Sequence, residues 1–105
     1  MVNEGENNEE KKYIKTLESI ITNLYTLKET EKQYLNILNN LLNYWTNESK
    51  KAGLKDEKRQ DKILEFIKRE KDTIKKINED IDKINTLIDE TEKRFEKIRK
   101  MATPP

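Results

Sequence analysis

Residues 63–102 read ILEFIKREKDTIKKINEDIDKINTLIDETEKRFEKIRKMA, and the spacing of their apolar residues decides the fold. Alternate steps of four and three from Ile63 reach Ile67, Glu70, Ile74, Ile77, Ile81, Ile84, Ile88, Thr91, Phe95, Ile98 and Ala102. Ten of these twelve positions are apolar, and only Leu64, Phe66, Leu87 and Met101 fall off the line. A repeat averaging 3.5 residues keeps one narrow stripe turned toward a partner helix along its whole length. The remaining faces carry Lys, Arg, Glu and Asp, as a solvated exterior does. The pattern predicts one long helix, residues 57–102, with an intramolecular seam of Ile63, Ile67, Ile74, Ile77, Ile81, Ile84, Ile88, Phe95 and Ile98.

Immediately upstream lies the internal punctuation of the chain, Lys50-Lys51-Ala52-Gly53-Leu54-Lys55-Asp56. Gly53 suits the left-handed position that follows a helix C-terminus, because it has no Cβ to clash there. Leu54 is the apolar residue expected to fold back on the last turn. Lys50 and Lys51 complement the negative end of the helix dipole. Asp56 then reads as the N-cap of the next helix, with Glu57 in its first turn. A tight turn over residues 52–56 follows, and with it an antiparallel hairpin.

The preceding segment, residues 8–51, is also helical in pattern but differs in kind. One row runs Ile14, Leu17, Ile21, Leu24, Lys28, Glu31, Leu35, Leu38, Leu42. A second row, offset by one residue, runs Tyr13, Leu17, Ile20, Leu24, Leu27, Glu31, Tyr34, Leu38, Leu41, Trp45. Both are apolar except at Lys28 and Glu31, so this helix has a broad face rather than a stripe. It also holds five of the seven aromatic residues: Tyr13, Tyr25, Tyr34, Tyr44 and Trp45. A two-helix hairpin does not use that much apolar face. Tyr13, Ile20, Leu27, Tyr34, Leu41, Tyr44 and Trp45 are therefore the candidate partner-binding face. Trp45 has a second reading as a cap on the hairpin core. The polar interruption Lys28-Glu29-Thr30-Glu31-Lys32-Gln33 has three readings: a register pin set opposite Glu79, a tolerant waist with a snorkelling lysine, or a local break in the helix.

The ends are simpler. Residues 1–7 read as a disordered polar tail, with Asn7 a candidate cap and Glu10 its capping-box partner. Residues 103–105 form a C-terminal tail, because Pro104 and Pro105 cannot continue a helix.

Composition narrows the function classes. The 105 residues are 32% apolar and 41% charged, far from the roughly 45–50% and 25% of an average globular domain. So few apolar residues build no thick core, and one hairpin buries too little to offset the entropy of ordering two helices of this length. The fold expectation is thus all-α: a long antiparallel helical hairpin (coiled coil) that dimerises into a four-helix bundle. Isoleucine at both seam positions leans the same way.

Lys and Arg number 22 against 21 Asp and Glu, so no net field draws nucleic acid or an anionic membrane. Around the turn, Lys50, Lys51, Lys55, Lys58, Arg59 and Lys62 are interleaved with Glu48, Asp56, Glu57 and Asp61, which cancels most of the local field. Histidine and cysteine are absent, which removes the commonest general base, the thiolate nucleophile and the usual zinc ligands. The acidic clusters Glu79-Asp80-Asp82 and Asp89-Glu90-Glu92 lie off the seam among lysines and arginines and read as solvated surface. No catalytic, metal or cofactor residue is expected, nor a small-molecule substrate. Without a signal peptide or an apolar span, the expected location is intracellular and soluble, and Asn47-Glu48-Ser49 is a sequon by chance.

The expected function is a non-enzymatic scaffold or adaptor subunit acting through protein–protein interaction, with itself or another helical protein. The alternative is a small helical export chaperone or secreted helical-hairpin protein that binds a partner helix through the broad face. Trp45-Thr46-Asn47 lacks the Trp-x-Gly signature of small secreted hairpins.

Overall fold

The structure, a computed structural model, describes residues 4–52 and 56–102, with side chains from Glu9 to Ala52 and from Asp56 to Met101. It holds two helices, α1 (Glu4–Ala52) and α2 (Glu57–Ala102), in an all-α helical hairpin. Gly53 and Leu54 lie outside the described residues. Asp56 is described and caps α2. Its Oδ1 accepts a hydrogen bond from Arg59 N at 3.1 Å, and its carbonyl accepts one from Gln60 N at 3.0 Å. The first satisfies one of the four amide donors that a helix start leaves unpaired, and the second is the first bond of the helix ladder. Lys50 and Lys51 in the last turn of α1, and Glu57 in the first turn of α2, complement the two helix dipoles.

At its N-terminus α1 extends further than the sequence pattern indicates. The helix begins at Glu4, so residues 4–7 belong to it rather than to a tail, and Asn7 lies inside it rather than capping it. No proline interrupts this segment, and one glycine at position 5 costs only about 1 kcal/mol in a helix. Nor does α1 break at the polar interruption, since it runs unbroken through residues 28–33.

Two compact units make up the chain. The first comprises α1 up to Glu29 and α2 from Asp82, and its deepest residues are Leu17, Ile84 and Ile88. Ile14, Ile21, Leu24, Phe95 and Ile98 are half-buried around them. On its flank the Tyr25 hydroxyl donates to Glu92 Oε1 at 2.8 Å. The second unit, Thr30–Ile81, contains the turn and has Leu38, Ile63 and Ile77 at its centre. Leu35, Leu42, Ile67 and Ile74 are half-buried there, as is Ile81 at its boundary. Gln60 Nε2 donates to Ser49 Oγ at 2.7 Å, and Arg59 Nη2 to Glu48 Oε2 at 3.0 Å. Farther from the turn, the rings of Trp45 and Phe66 lie 4.8 Å apart. Ascending α1 positions meet descending α2 positions, as antiparallel packing requires.

A substitution pair in the first unit tests the seam. Ile84→Ala is expected to lower stability by about 2 kcal/mol or more, because it empties a buried site. Leu87→Ala, at an exposed position, is expected to change it by no more than about 0.5 kcal/mol. Thermal unfolding followed by circular dichroism reads both. Equal effects would mean that the seam runs elsewhere.

Candidate functional site

Of the two apolar rows that the sequence leaves open on α1, the structure turns one inward. Leu17 and Leu38 are 3% and 4% exposed, and the rest of their row is half-buried, Lys28 and Glu31 included. The members peculiar to the offset row, Tyr13, Ile20, Leu27, Tyr34 and Leu41, are all exposed, and so is Tyr44. Six of the seven residues assigned to the candidate partner face therefore lie on open surface.

Trp45 departs from that assignment. It is half-buried, with its ring against Phe66 and edge-on to Tyr44 at 5.0 Å between centroids. Its indole packs inside the hairpin near the turn, because α2 presents Phe66 just off the Ile63–Ile67 line. A groove floored by Trp45, Ile63 and Phe66 is rimmed by Asp56, Lys58, Arg59 and Lys62. Two of those rim charges are engaged within the fold, Asp56 in capping and Arg59 with Glu48. Among the described residues the buried indole N–H of Trp45 has no acceptor, and neither does the buried Oε1 of Gln60 have a donor.

The exposed apolar residues of α1 form a second line. At steps of three and four its members are Tyr13, Thr16, Ile20, Asn23 and Leu27 in the first unit, and Thr30, Tyr34, Ile37, Leu41 and Tyr44 in the second. Every one of these ten residues is exposed, and none is charged. At 3.6 residues per turn the line lies about a quarter turn round the helix from the seam row. Ile37, 61% exposed, is its most open apolar member and was absent from the sequence-derived face. Position 37 belongs to neither apolar row, so periodicity measured from the seam passes over it. A different signal marks it: residues 33–47 contain no charged side chain, and neither do residues 19–27, in a chain that is 41% charged.

One threonine of this line and two beside it turn their hydroxyls back on the helix. Thr16 Oγ1 donates to Lys12 O, Thr22 Oγ1 to Glu18 O and Thr26 Oγ1 to Thr22 O, each at 3.0 Å. A threonine so bonded has its donor satisfied without solvent and leaves its methyl outward.

Among the described residues no three carboxylates are grouped to hold a metal ion. Of the acidic clusters, Asp89 pairs with Lys93 at 3.0 Å, while Glu92 is occupied by Tyr25. The hydrogen bond and the charge of Glu92, with slight desolvation, raise the Tyr25 pKa above its usual value of 10.0. Glu70 is the buried exception, 4% exposed on the seam between Ile67 and Ile74. Its Oε1 is reached only at 3.4 Å by Nε and Nη2 of Arg69, whose guanidinium also lies 5.1 Å from the Phe66 ring centroid. Contacts that long compensate the desolvation of a carboxylate poorly. The residue stands at a seam position in plain sequence, and the repeat that carries the isoleucines inward carries it with them. Among the described residues, no helix is long and apolar enough to cross a membrane.

Comparison of the chain with protein-family models, with curated proteins and with solved structures finds no match. What the molecule offers a partner is therefore read from its own surface.

Two measurements test these assignments. Glu70→Leu is expected to raise the unfolding midpoint, because a well-packed apolar residue at a buried carboxylate position is neutral or stabilising by about 1–4 kcal/mol. A lowered midpoint would show that the carboxylate contributes to stability. For Tyr25, the folded pKa lies above the unfolded one, so the stability gained is present below about pH 10 and lost as pH rises through the folded value. Titration of the Tyr25 ring by NMR is expected to show a midpoint above 10.0 that falls in Glu92→Gln. An unchanged midpoint in the variant would remove the contact from the account.

Proposed function

We propose that this chain is a non-enzymatic protein–protein interaction module, a scaffold or adaptor subunit. It binds a helical partner through the outer face of α1. The observation that carries the reading is a run of exposed, uncharged residues on α1 in each unit, Tyr13 to Leu27 in the first and Thr30 to Tyr44 in the second, on a protein whose other surfaces are dense in charge. Depletion of charge with enrichment in aromatic residues is the compositional mark of an interface core. Solvent alone supplies no reason to keep fifteen consecutive residues, 33–47, free of charge. Stepwise spacing of three and four also specifies the shape of the partner, since a helix with a like stripe packs against such a line at a shallow crossing angle.

The division of labour on α1 supports the same reading. One row is consumed by the hairpin and the other is left over, so covering the second does not require the first to open. Chemistry is not needed to account for any arrangement of side chains described above. The absence of histidine and cysteine leaves little with which to perform it.

The full chain, tethered at its C-terminus, is expected to retain a helical protein from solution, a further copy of itself included. Ile37→Glu combined with Tyr44→Glu is expected to abolish retention while leaving the far-ultraviolet circular dichroism unchanged. Retention that survives the double substitution would place the interface elsewhere. No retention by either form would contradict the proposal.

A further inference from the structure

We infer that the groove beside the turn binds an acidic segment of another protein. One large apolar side chain of that segment sits on Trp45 and Phe66, and two of its carboxylates meet Lys58 and Lys62. The groove lies wholly within the second unit. It is separate from the outer face of α1, so the inference goes beyond the function proposed above and does not depend on it.

The floor sets the apolar half of the ligand. Trp45 and Phe66 are half-buried with their rings 4.8 Å apart, and Ile63 closes the bottom at 3% exposure. Packing within the hairpin thus leaves part of both aromatic residues uncovered. Aromatic surface fixed by the packing beneath it is where interfaces concentrate their binding energy. A cavity of about 520 Å³ lies over these residues, within the size range of sites that enclose an apolar group.

The rim sets the charge. In sequence the acids around the turn nearly match the bases, but the structure takes those acids out of the groove. Asp56 Oδ1 accepts from Arg59 N and caps α2. Glu48 is held by Arg59 Nη2 at 3.0 Å and by Lys51 Nζ at 3.6 Å. Glu57 and Asp61 do not line the groove. Lys58 and Lys62 do line it, both are exposed, and among the described residues neither has an ion-pair partner. Two unengaged ammonium groups therefore stand beside an apolar floor. An acidic ligand complements that arrangement and a basic one is repelled by it.

Spacing narrows the ligand further. Lys58 and Lys62 are one helical turn apart, about 6 Å along the axis. Alternate residues of an extended segment are separated by about 6.6 Å, and the residue between them turns the other way. An acid–apolar–acid run thus lays its carboxylates along the lysines and its apolar side chain on the rings.

Trp45 is the one tryptophan of the chain, so its fluorescence and its single indole N–H signal in a nitrogen–proton NMR spectrum both report the groove. The probe is a blocked pentapeptide with a leucine between two pairs of aspartates, titrated to about 1 mM. The expected result is a saturable change in both signals, with binding that weakens as salt is raised. Lys58→Gln combined with Lys62→Gln is expected to weaken binding at least about fivefold and to remove most of its salt dependence. Helicity is expected to stay unchanged, because both residues are exposed. Peptides with alanine in place of the leucine, or lysines in place of the aspartates, are expected not to bind. Equal binding of the alanine peptide would show a diffuse attraction of charge and overturn the site. Equal binding of the lysine peptide would remove the rim from the recognition and overturn it as well. If neither Trp45 signal responds to the acidic peptide, the inference fails, and the outer face of α1 is still judged by its own retention test.

Discussion

Everything in this molecule depends on a seam one side chain wide. With 32% apolar residues the chain has no material for a second layer, so its helices are held by the burial of Leu17, Ile84 and Ile88 in one unit and of Leu38, Ile63 and Ile77 in the other. Isoleucine dominates that list on α2 because a line of positions repeating at 3.5 residues is filled from one helix by residues with few rotamers. Any residue placed on the seam is forced inside whatever its chemistry. Glu70 shows the consequence, buried with a long contact to its neighbour Arg69.

A narrow seam also explains the rest of the surface. Residues on α2 outside the line are mostly charged. On α1 the same constraint operates on one row only. The second line escapes it, staying apolar and uncharged where the hairpin gives it no partner. That asymmetry between two helices of similar length is what joins the fold to a function: α2 closes the hairpin, and α1 both closes it and presents a face.

Much of the architecture was legible in the residues themselves. The heptad of α2 and the cap at Asp56 each arise from local rules, and α2 runs over residues 57–102. Which row of α1 faces inward was not legible, because Leu17, Leu24 and Leu38 belong to both rows and only packing against α2 separates them. The start of α1 was misplaced since polar composition does not by itself stop a helix. Trp45 was ambiguous for a related reason: its place depends on Phe66, a residue off the α2 line. Tyr25 with Glu92 and Glu48 with Arg59 join positions far apart in sequence or across the turn, and no periodicity announces them. Ile37 was overlooked by counting from the seam, whereas counting charges finds it.

Two adjacent residues separate the roles assigned to α1. Leu38 is buried on the seam, and Ile37 is exposed on the outer line. The most direct measurement is thermal unfolding by circular dichroism for the wild-type chain, Ile37→Glu and Leu38→Glu. The account predicts that Ile37→Glu stays helical with a midpoint close to that of the wild-type chain, and that Leu38→Glu loses helix. An Ile37→Glu chain that unfolds as Leu38→Glu does would contradict it.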